Sequence, residues 1–487
     1  MRKINKIATF LLVLVLAIVT SCKKELTDLN IDSKNPSKVS SGALFANAER
    51  ALVDQIVTPN VNLNVLRMFA QYWTETTYID ESQYNISTRS IPDREFQATY
   101  RDILNDFKEA ARVAGEESDL VSTAAEKTNK AAIAEILSVY AFARAVDIFG
   151  NLPYDEALNV DNILPKYDDA QTIYSKLFAR LDNASNKLIL TAGSYKENDI
   201  IYGGDVAKWK LFANSLKLKM AITVADVPAL NPGVKAQEAI TAGVFTSSGD
   251  DAMLHYLSLT ATANPIYVNL VASGRKDFVA ANTLVDAMNT LNDPRRPVYF
   301  GSNMTDSVGN VMYMGGVYGD NNDYTEYTWV GDLLQTKEWR GVLLEYSEVL
   351  FYQAEAVERG FTGGVAATYY NQAITASFLS WGLTSTQATA YLANPSVAYA
   401  TATGTYKQKI ATQAWIAYYD RPELGWTTWR RLDFPALNPP PDMTLADIRT
   451  RYTYPIREQN INSASYTSAA AAIGGDHLTT KLFWDKY

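Results

Sequence analysis

Residues 346–374 read YSEVLFYQAEAVERGFTGGVAATYYNQAI, a stretch with the pattern of a helix–turn–helix pair. Small residues stand at Ala354, Ala356, Ala366, Ala367 and Ala373, with Gly360 in the turn and bulky Tyr369 and Tyr370 after it. Alternating small and large positions across two helices let them pack closely, which is the tetratricopeptide pattern in a spacing looser than the strict repeat. Generic antiparallel helices satisfy the same pattern equally well. A similar pair is expected over 131–180 around Gly150.

Working outward, helical period recurs. Over 168–190, Ile173, Leu177, Leu181, Ala184 and Leu188 form one stripe, and Asp168 and Asp169 place negative charge in the first turn. The run 121–149 continues through Ile133, Ile136, Leu137 and Tyr140 and stops at Gly150-Asn151. Further helices are expected over 43–58, 94–114, 205–224, 343–359, 365–380, 385–393 and 402–417. No segment alternates like a strand between hairpin turns, so the chain is expected to be mainly α with at most a few short strands. The stretch 255–340 differs: it is rich in Gly, Tyr and Pro, and such a long excursion in a helical protein is where a binding surface is expected.

The first residues set the compartment. Arg2, Lys3 and Lys6 precede a thirteen-residue run, Ile7 to Val19, interrupted only by Thr9. As a helix it would reach roughly 20 Å, short of the ~30 Å hydrocarbon core, so it reads as a signal segment. Val19-Thr20-Ser21 lead into Cys22, the only cysteine in the chain. This resembles a bacterial lipobox, which predicts a removed signal peptide (1–21), a lipidated Cys22 and a polar tether (22–41). One helical domain (42–487), with the loop-rich insertion at about 255–340, is expected to follow.

Composition excludes several chemistries. One Cys rules out a disulfide framework and multi-thiolate metal sites, and two distant histidines, His255 and His477, argue against a multi-histidine centre. Phosphate-binding and nucleophile-elbow motifs are absent; Gly315-Gly316-Val317-Tyr318-Gly319 lacks the Lys and Ser/Thr of a phosphate loop. Losing the leader takes the net charge from −9 to −12, with 41 basic against 53 acidic residues and no basic run. Nucleic acid is therefore a poor partner. Asp320 and Asp323, with Glu326, offer hard oxygens for calcium, but the loop lacks EF-hand spacing and reads as solvated. No cofactor is expected.

What remains is aromatic. Thirty tyrosines suit a protein that holds ligands on flat amphipathic surfaces. Tyr72-Trp73, Tyr78 and Tyr84 lie in a polar stretch after a helix, and Tyr318, Tyr324, Tyr327 and Trp329 lie in the excursion. Rings beside amides and carboxylates suit sugars, which offer a C–H face and hydroxyls together. Trp426 and Trp429, beside Arg430-Arg431, adjoin a probable core segment instead.

The chain also resembles a known family in order along its length. LTDLNIDSKNPSKVSSGALFANAE (26–49), DIFGNLPYDEAL (147–158), YQAEAVERG (352–360), QKIATQAWIAYYDRPELGWTTWRRLDFP (408–435) and RYTYPIREQNIN (451–462) are similar to successive elements of the SusD/RagB-like nutrient-binding lipoproteins. The resemblance implies a SusD-like α/α superhelix of tetratricopeptide-like helix pairs carrying an irregular, loop-rich ligand-binding face. It implies a non-catalytic outer-membrane lipoprotein that captures oligosaccharide, or in some members peptide, for a TonB-dependent β-barrel transporter. Ligand contacts are then expected regionally, from Trp73, Tyr78, Tyr84, Tyr318, Tyr324, Tyr327 and Trp329. Gly150 is expected to permit a turn, Pro153 to end a helix, and Arg430 and Arg431 to pair with carboxylates. Cys22 is followed by Lys23-Lys24-Glu25, where some members carry acidic residues. A lipid-anchored glycosidase and a scaffold that binds only protein are the competing classes.

Overall fold

The computed structural model describes residues 39–487. The expected leader, Cys22 and nearly all of the tether lie outside the described residues. The frame helices are α1 (Ser41–Val57), α2 (Asn105–Glu116), α3 (Ala124–Phe149), α4 (Ala170–Lys187), α5 (Val206–Thr223), α6 (Pro232–Ala242), α7 (Tyr346–Glu358), α8 (Ala366–Ser380), α9 (Tyr406–Ala417) and α10 (Pro422–Leu432).

The longest of these, α3, shows how the sequence builds the frame. The Thr123 hydroxyl accepts from the Glu126 N–H at 3.2 Å, and the Glu126 carboxylate accepts from the Thr123 N–H at 2.8 Å. This reciprocal cap satisfies donors that a helix start leaves unpaired. From Ala132 onward almost every side chain is buried. A helix apolar on all sides must be enclosed by neighbours, and α2 and α4 both pack on it. Elsewhere α1 lies on α2, α5 on α6, α7 on α8 and α9 on α10. The fold is thus mainly helical and built from sequence-adjacent pairs, as residues 346–374 predict.

Gly150 ends α3. Its φ of +84° is costly for any residue with a side chain, and its N–H still reaches the Val146 carbonyl at 2.9 Å. Pro153 therefore does not end the helix; it lies beyond it, in the two-residue strand β2 (Leu152–Pro153), which pairs with β3 (Tyr167–Asp168). Two more antiparallel pairs complete the strands among the described residues. β1 (Trp73–Glu75) pairs with β5 (Phe278–Ala280), and β4 (Ala252–Leu254) with β6 (Gly341–Leu344). The β4·β6 pair brackets the 255–340 excursion, so that its two ends meet and it closes on itself.

Two frame helices, α6 and α10, escape the sequence pattern. α6 starts at a proline after the left-handed Asn231. α10 buries Glu423, Arg430 and Arg431 along with its apolar residues, so it is enclosed on nearly all sides despite its charges. Those charges tie helices together. Arg431 donates to both oxygens of Glu355 on α7, at 2.9 and 2.8 Å, and to the Ile222 carbonyl of α5 at 2.8 Å. Arg430 differs from the expected carboxylate pairing: its guanidinium caps the carbonyls of Asp147 and Thr450, with Trp426 and Trp484 flanking it. Arg144 on α3 bonds Glu423 and Glu95.

Burial works against the Glu355 charge, but Arg431 and Arg359 together hold its carboxyl below the usual range. Removing one partner of a buried pair leaves the others uncompensated. Glu355→Ala is therefore expected to lower unfolding stability by about 3–5 kcal/mol, read as a large drop in thermal midpoint; an unchanged midpoint would contradict this role.

Candidate functional site

β1 is buried on both faces, and the chain reaches the surface at Thr77. Its ladder with β5 extends one step further, with the Thr76 N–H on the Asp277 carbonyl at 2.9 Å and the Thr76 hydroxyl on the Lys276 carbonyl at 2.6 Å. The chain then runs out through Thr77 to Tyr78, which is 71% exposed at a φ of +59°. A large residue in the left-handed region is unusual, and here it carries a ring into solvent.

The opposing rim comes from the excursion. Gly315 lies directly on the backbone of Asn282, where a Cβ would sit only 2.4 Å away, so the glycine run serves close backbone approach. Just beyond, buried Asn322 donates its amide to the carbonyls of Glu75, Val317 and Asp320 at 3.1, 3.0 and 2.7 Å. That amide fastens the rim to β1. Tyr324 and Trp329 then stack, with centroids 4.8 Å apart and planes 21° from parallel. The Trp329 indole donates to the Tyr324 carbonyl at 2.7 Å, and Asn303 holds the Trp329 N–H and the Tyr327 carbonyl at 3.0 and 2.9 Å. The Lys276 ammonium lies 5.1 Å from the Tyr324 ring centre.

Between the rims is an open cleft of about 460 Å³, lined by Thr76, Thr77, Asn321, Asn322, Asp323 and Tyr324. It offers hydroxyls, an amide and a carboxylate beside an aromatic platform. Beneath it, burial and the neighbouring Glu81 push the Glu75 carboxyl up to about 9. Glu75 therefore keeps a proton at neutral pH, while its Oε2 accepts from the Ser82 N–H and hydroxyl at 2.9 and 2.8 Å. That carboxyl supports the loop and does not line the cleft.

The seven aromatics named from the sequence divide. Tyr78 is exposed and Tyr324, Tyr327 and Trp329 are half-buried; of the four, Tyr324 lines the cleft and Trp329 stacks on it. Trp73, Tyr84 and Tyr318 are corrected to core: each is 2% exposed or less, so no ligand can stack on it in this arrangement. Trp73 donates its indole N–H to the Tyr419 hydroxyl at 2.9 Å, with the Arg67 guanidinium 4.7 Å from its ring. Tyr84 packs edge-on against Phe69 and contacts Tyr318. Polarity of the surrounding sequence misplaced them, because β1 carries its residues inward before the loop begins. Thr76, Thr77 and Lys276 were not anticipated; short polar side chains carry no signal until strand pairing places them. For calcium, the Asp323 carboxylate already accepts from the Thr325 N–H and hydroxyl. Among the described residues no group of three His, Cys, Asp or Glu is placed to hold a metal.

A family model described as SusD-like, "starch-binding associating with outer membrane", matches residues 33–455. The chain belongs to the SusD-like family. Solved relatives agree in fold. A chitin-binding protein is 25% identical at a TM-score of 0.78, covering 92% of this chain and 100% of its own. A chitin-binding SusD homologue from Flavobacterium johnsoniae is 23% identical at 0.75, covering 91% and 98%. A SusD homologue from Parabacteroides distasonis is 24% identical at 0.78, covering 92% and 98%. No curated protein matches the chain. Among the described residues no helix is long and apolar enough to cross a membrane.

The two tryptophans separate frame from platform. Trp73→Ala is expected to cost about 3–5 kcal/mol of stability through the cavity it leaves. Trp329→Ala is expected to leave the thermal midpoint within a degree or two, as a half-buried rim residue. Equal midpoints for the two variants in differential scanning calorimetry would overturn this division.

Proposed function

We propose that this SusD-like protein is a cell-surface lipoprotein that binds oligosaccharide in the cleft beside Tyr324, without catalysis, and passes it to a TonB-dependent β-barrel transporter. The stacked Tyr324–Trp329 pair beside a polar cleft carries the reading. A sugar ring can lay its C–H face on the pair while its hydroxyls reach Thr76, Thr77, Asn321 and Asp323. Family membership supports nutrient binding, and the chitin-binding relatives make chitin oligosaccharides the first ligands to try. A peptide ligand is the second reading, because the same rings accept apolar side chains and the cleft's amides accept a peptide backbone.

Titration calorimetry with chito-oligosaccharides, malto-oligosaccharides and mixed peptides tests the site. Glycan binding is expected with no release of reducing ends, and Tyr324→Ala or Trp329→Ala should weaken it roughly tenfold or more, about 1.4 kcal/mol. Peptide binding alone would favour the second reading, and undiminished glycan binding by both variants would reject the cleft.

The lipid anchor at Cys22 rests on the sequence, with the acyl chains supplying membrane affinity. Cys22→Ser is expected to abolish acyl labelling and to release the protein from the membrane fraction. Retention of the variant in that fraction would reject the anchor.

A further inference from the structure

A second cavity, of about 640 Å³, opens between the turn that leads into β4, the first residue of α7 and one face of α8. It shares no lining residue with the aromatic cleft, and its size falls within the range of small-molecule sites. Its floor is Asp251, 8% exposed, whose Oδ1 accepts the Tyr346 backbone N–H at 2.6 Å. Among the described residues no Lys or Arg forms an ion pair with Asp251, although cations lie close by. Arg421 is taken by Glu345 and Glu348 at 2.5 and 2.9 Å. Arg340, also in the lining, is held by the Ser380 carbonyl and hydroxyl and stands 3.7 Å from both Glu345 and Asp420.

Asp251 thus makes no ion pair, although the Arg340 guanidinium shares the lining with it, and it faces a cavity open to solvent. Burial first, and the Glu345 charge second, push its carboxyl up to about 8, against the Tyr346 N–H, Arg421 and Arg340, which act to lower it. Asp251 therefore keeps a proton at neutral pH. Around it, the Asn371 and Gln372 amides and the Tyr346 hydroxyl make no hydrogen bond to any other described residue, and Leu379 adds an exposed apolar wall. Free amides and hydroxyls suit a hydroxylated ligand, and an ammonium can take the place of the Asp251 proton. One carboxylate is too few for a bare metal ion.

We propose that this cavity is a second ligand site, which takes a small hydroxylated primary amine with its ammonium on Asp251 and its hydroxyls on Asn371, Gln372 and Tyr346. The amine can come from an amino sugar derivative or from the amino terminus of a short peptide; the recognised chemistry is the same.

Calorimetry on the mature chain tests it with glucamine, with sorbitol (the same polyol with a hydroxyl in place of the ammonium) and with glycylserine. Glucamine should bind roughly tenfold or more tighter than sorbitol, the gain of a charge-assisted hydrogen bond. Below about pH 8 its binding should release a proton, so that the heat depends on the buffer and the affinity falls with falling pH. Asp251→Asn keeps an acceptor for the Tyr346 N–H and should bind glucamine no better than sorbitol. Asn371→Ala with Gln372→Ala should weaken glucamine, and Trp329→Ala should leave it unchanged, which separates this site from the cleft. Either amine binding in this way supports the site, and their ranking assigns the source. Equal binding of sorbitol, full binding by Asp251→Asn, or no amine binding would overturn it.

Discussion

The binding face depends on one lock between residues 70–75 and the end of α9. The Tyr72 hydroxyl donates to the Trp415 carbonyl, and the Trp415 indole donates back to the Ala70 carbonyl at 2.9 Å. Trp73 adds its own bond to Tyr419, and Tyr299 of the excursion stacks on Tyr419 at 4.5 Å while donating to the Ile416 carbonyl at 3.0 Å. Three segments far apart in sequence therefore meet on a few fully buried rings. Tyr72, Trp415 and Tyr299 each bring both apolar area and a polar tip that satisfies a carbonyl, and Trp73 and Tyr419 satisfy each other, so these rings fill the core while keeping their polar groups paired. The composition follows from this requirement: most of the tyrosine surplus builds the support of the site and little of it builds the site.

Charge does the same work deeper in the frame. Arg421, Arg431 and Arg144 each join two or more helices through carboxylates or carbonyls inside the fold. Taking such groups out of water offsets much of their mutual attraction, so they add less net stability than their number suggests. Their value lies in geometry. A bidentate guanidinium accepts few alternative partners, whereas apolar helix faces can slide on one another. Paired helices of similar small-and-large pattern need such pins to choose a register.

This explains what the sequence made legible. Helices whose burial follows the helical period, such as α4 and α8, were readable because Ile173, Leu177 and Leu181, or Tyr370, Ala373 and Ile374, repeat at that period. α10 was not, because Glu423, Arg430 and Arg431 are buried through partners supplied by other segments. The site was legible by region and not by residue. The excursion and the stretch after Trp73 do meet, but only pairing of β1 with β5 decides which rings turn inward. Trp73 and Trp329 look alike in sequence; one faces the core because its neighbour in the ladder is Ala280, and the other lies on a loop with Tyr324 beneath it.

The separation of support from platform has a consequence for specificity. Asn322 and Thr74 fix the excursion to β1 through buried polar bonds, and Gly315 packs the excursion on its own backbone at Asn282; none of these contacts depends on the side chains at Thr77, Asn321, Asp323 or Tyr78. Those positions can change without loss of packing, since they are exposed and make few bonds to the frame. A cleft built this way can change its rim by substitution without disturbing the frame, while substitutions at Trp73, Tyr72 or Tyr419 would disturb the rim as a whole. Fold and ligand choice are therefore carried by different residues of the same short segments, and a chain only about a quarter identical to its chitin-binding relative can keep the frame and alter the ligand.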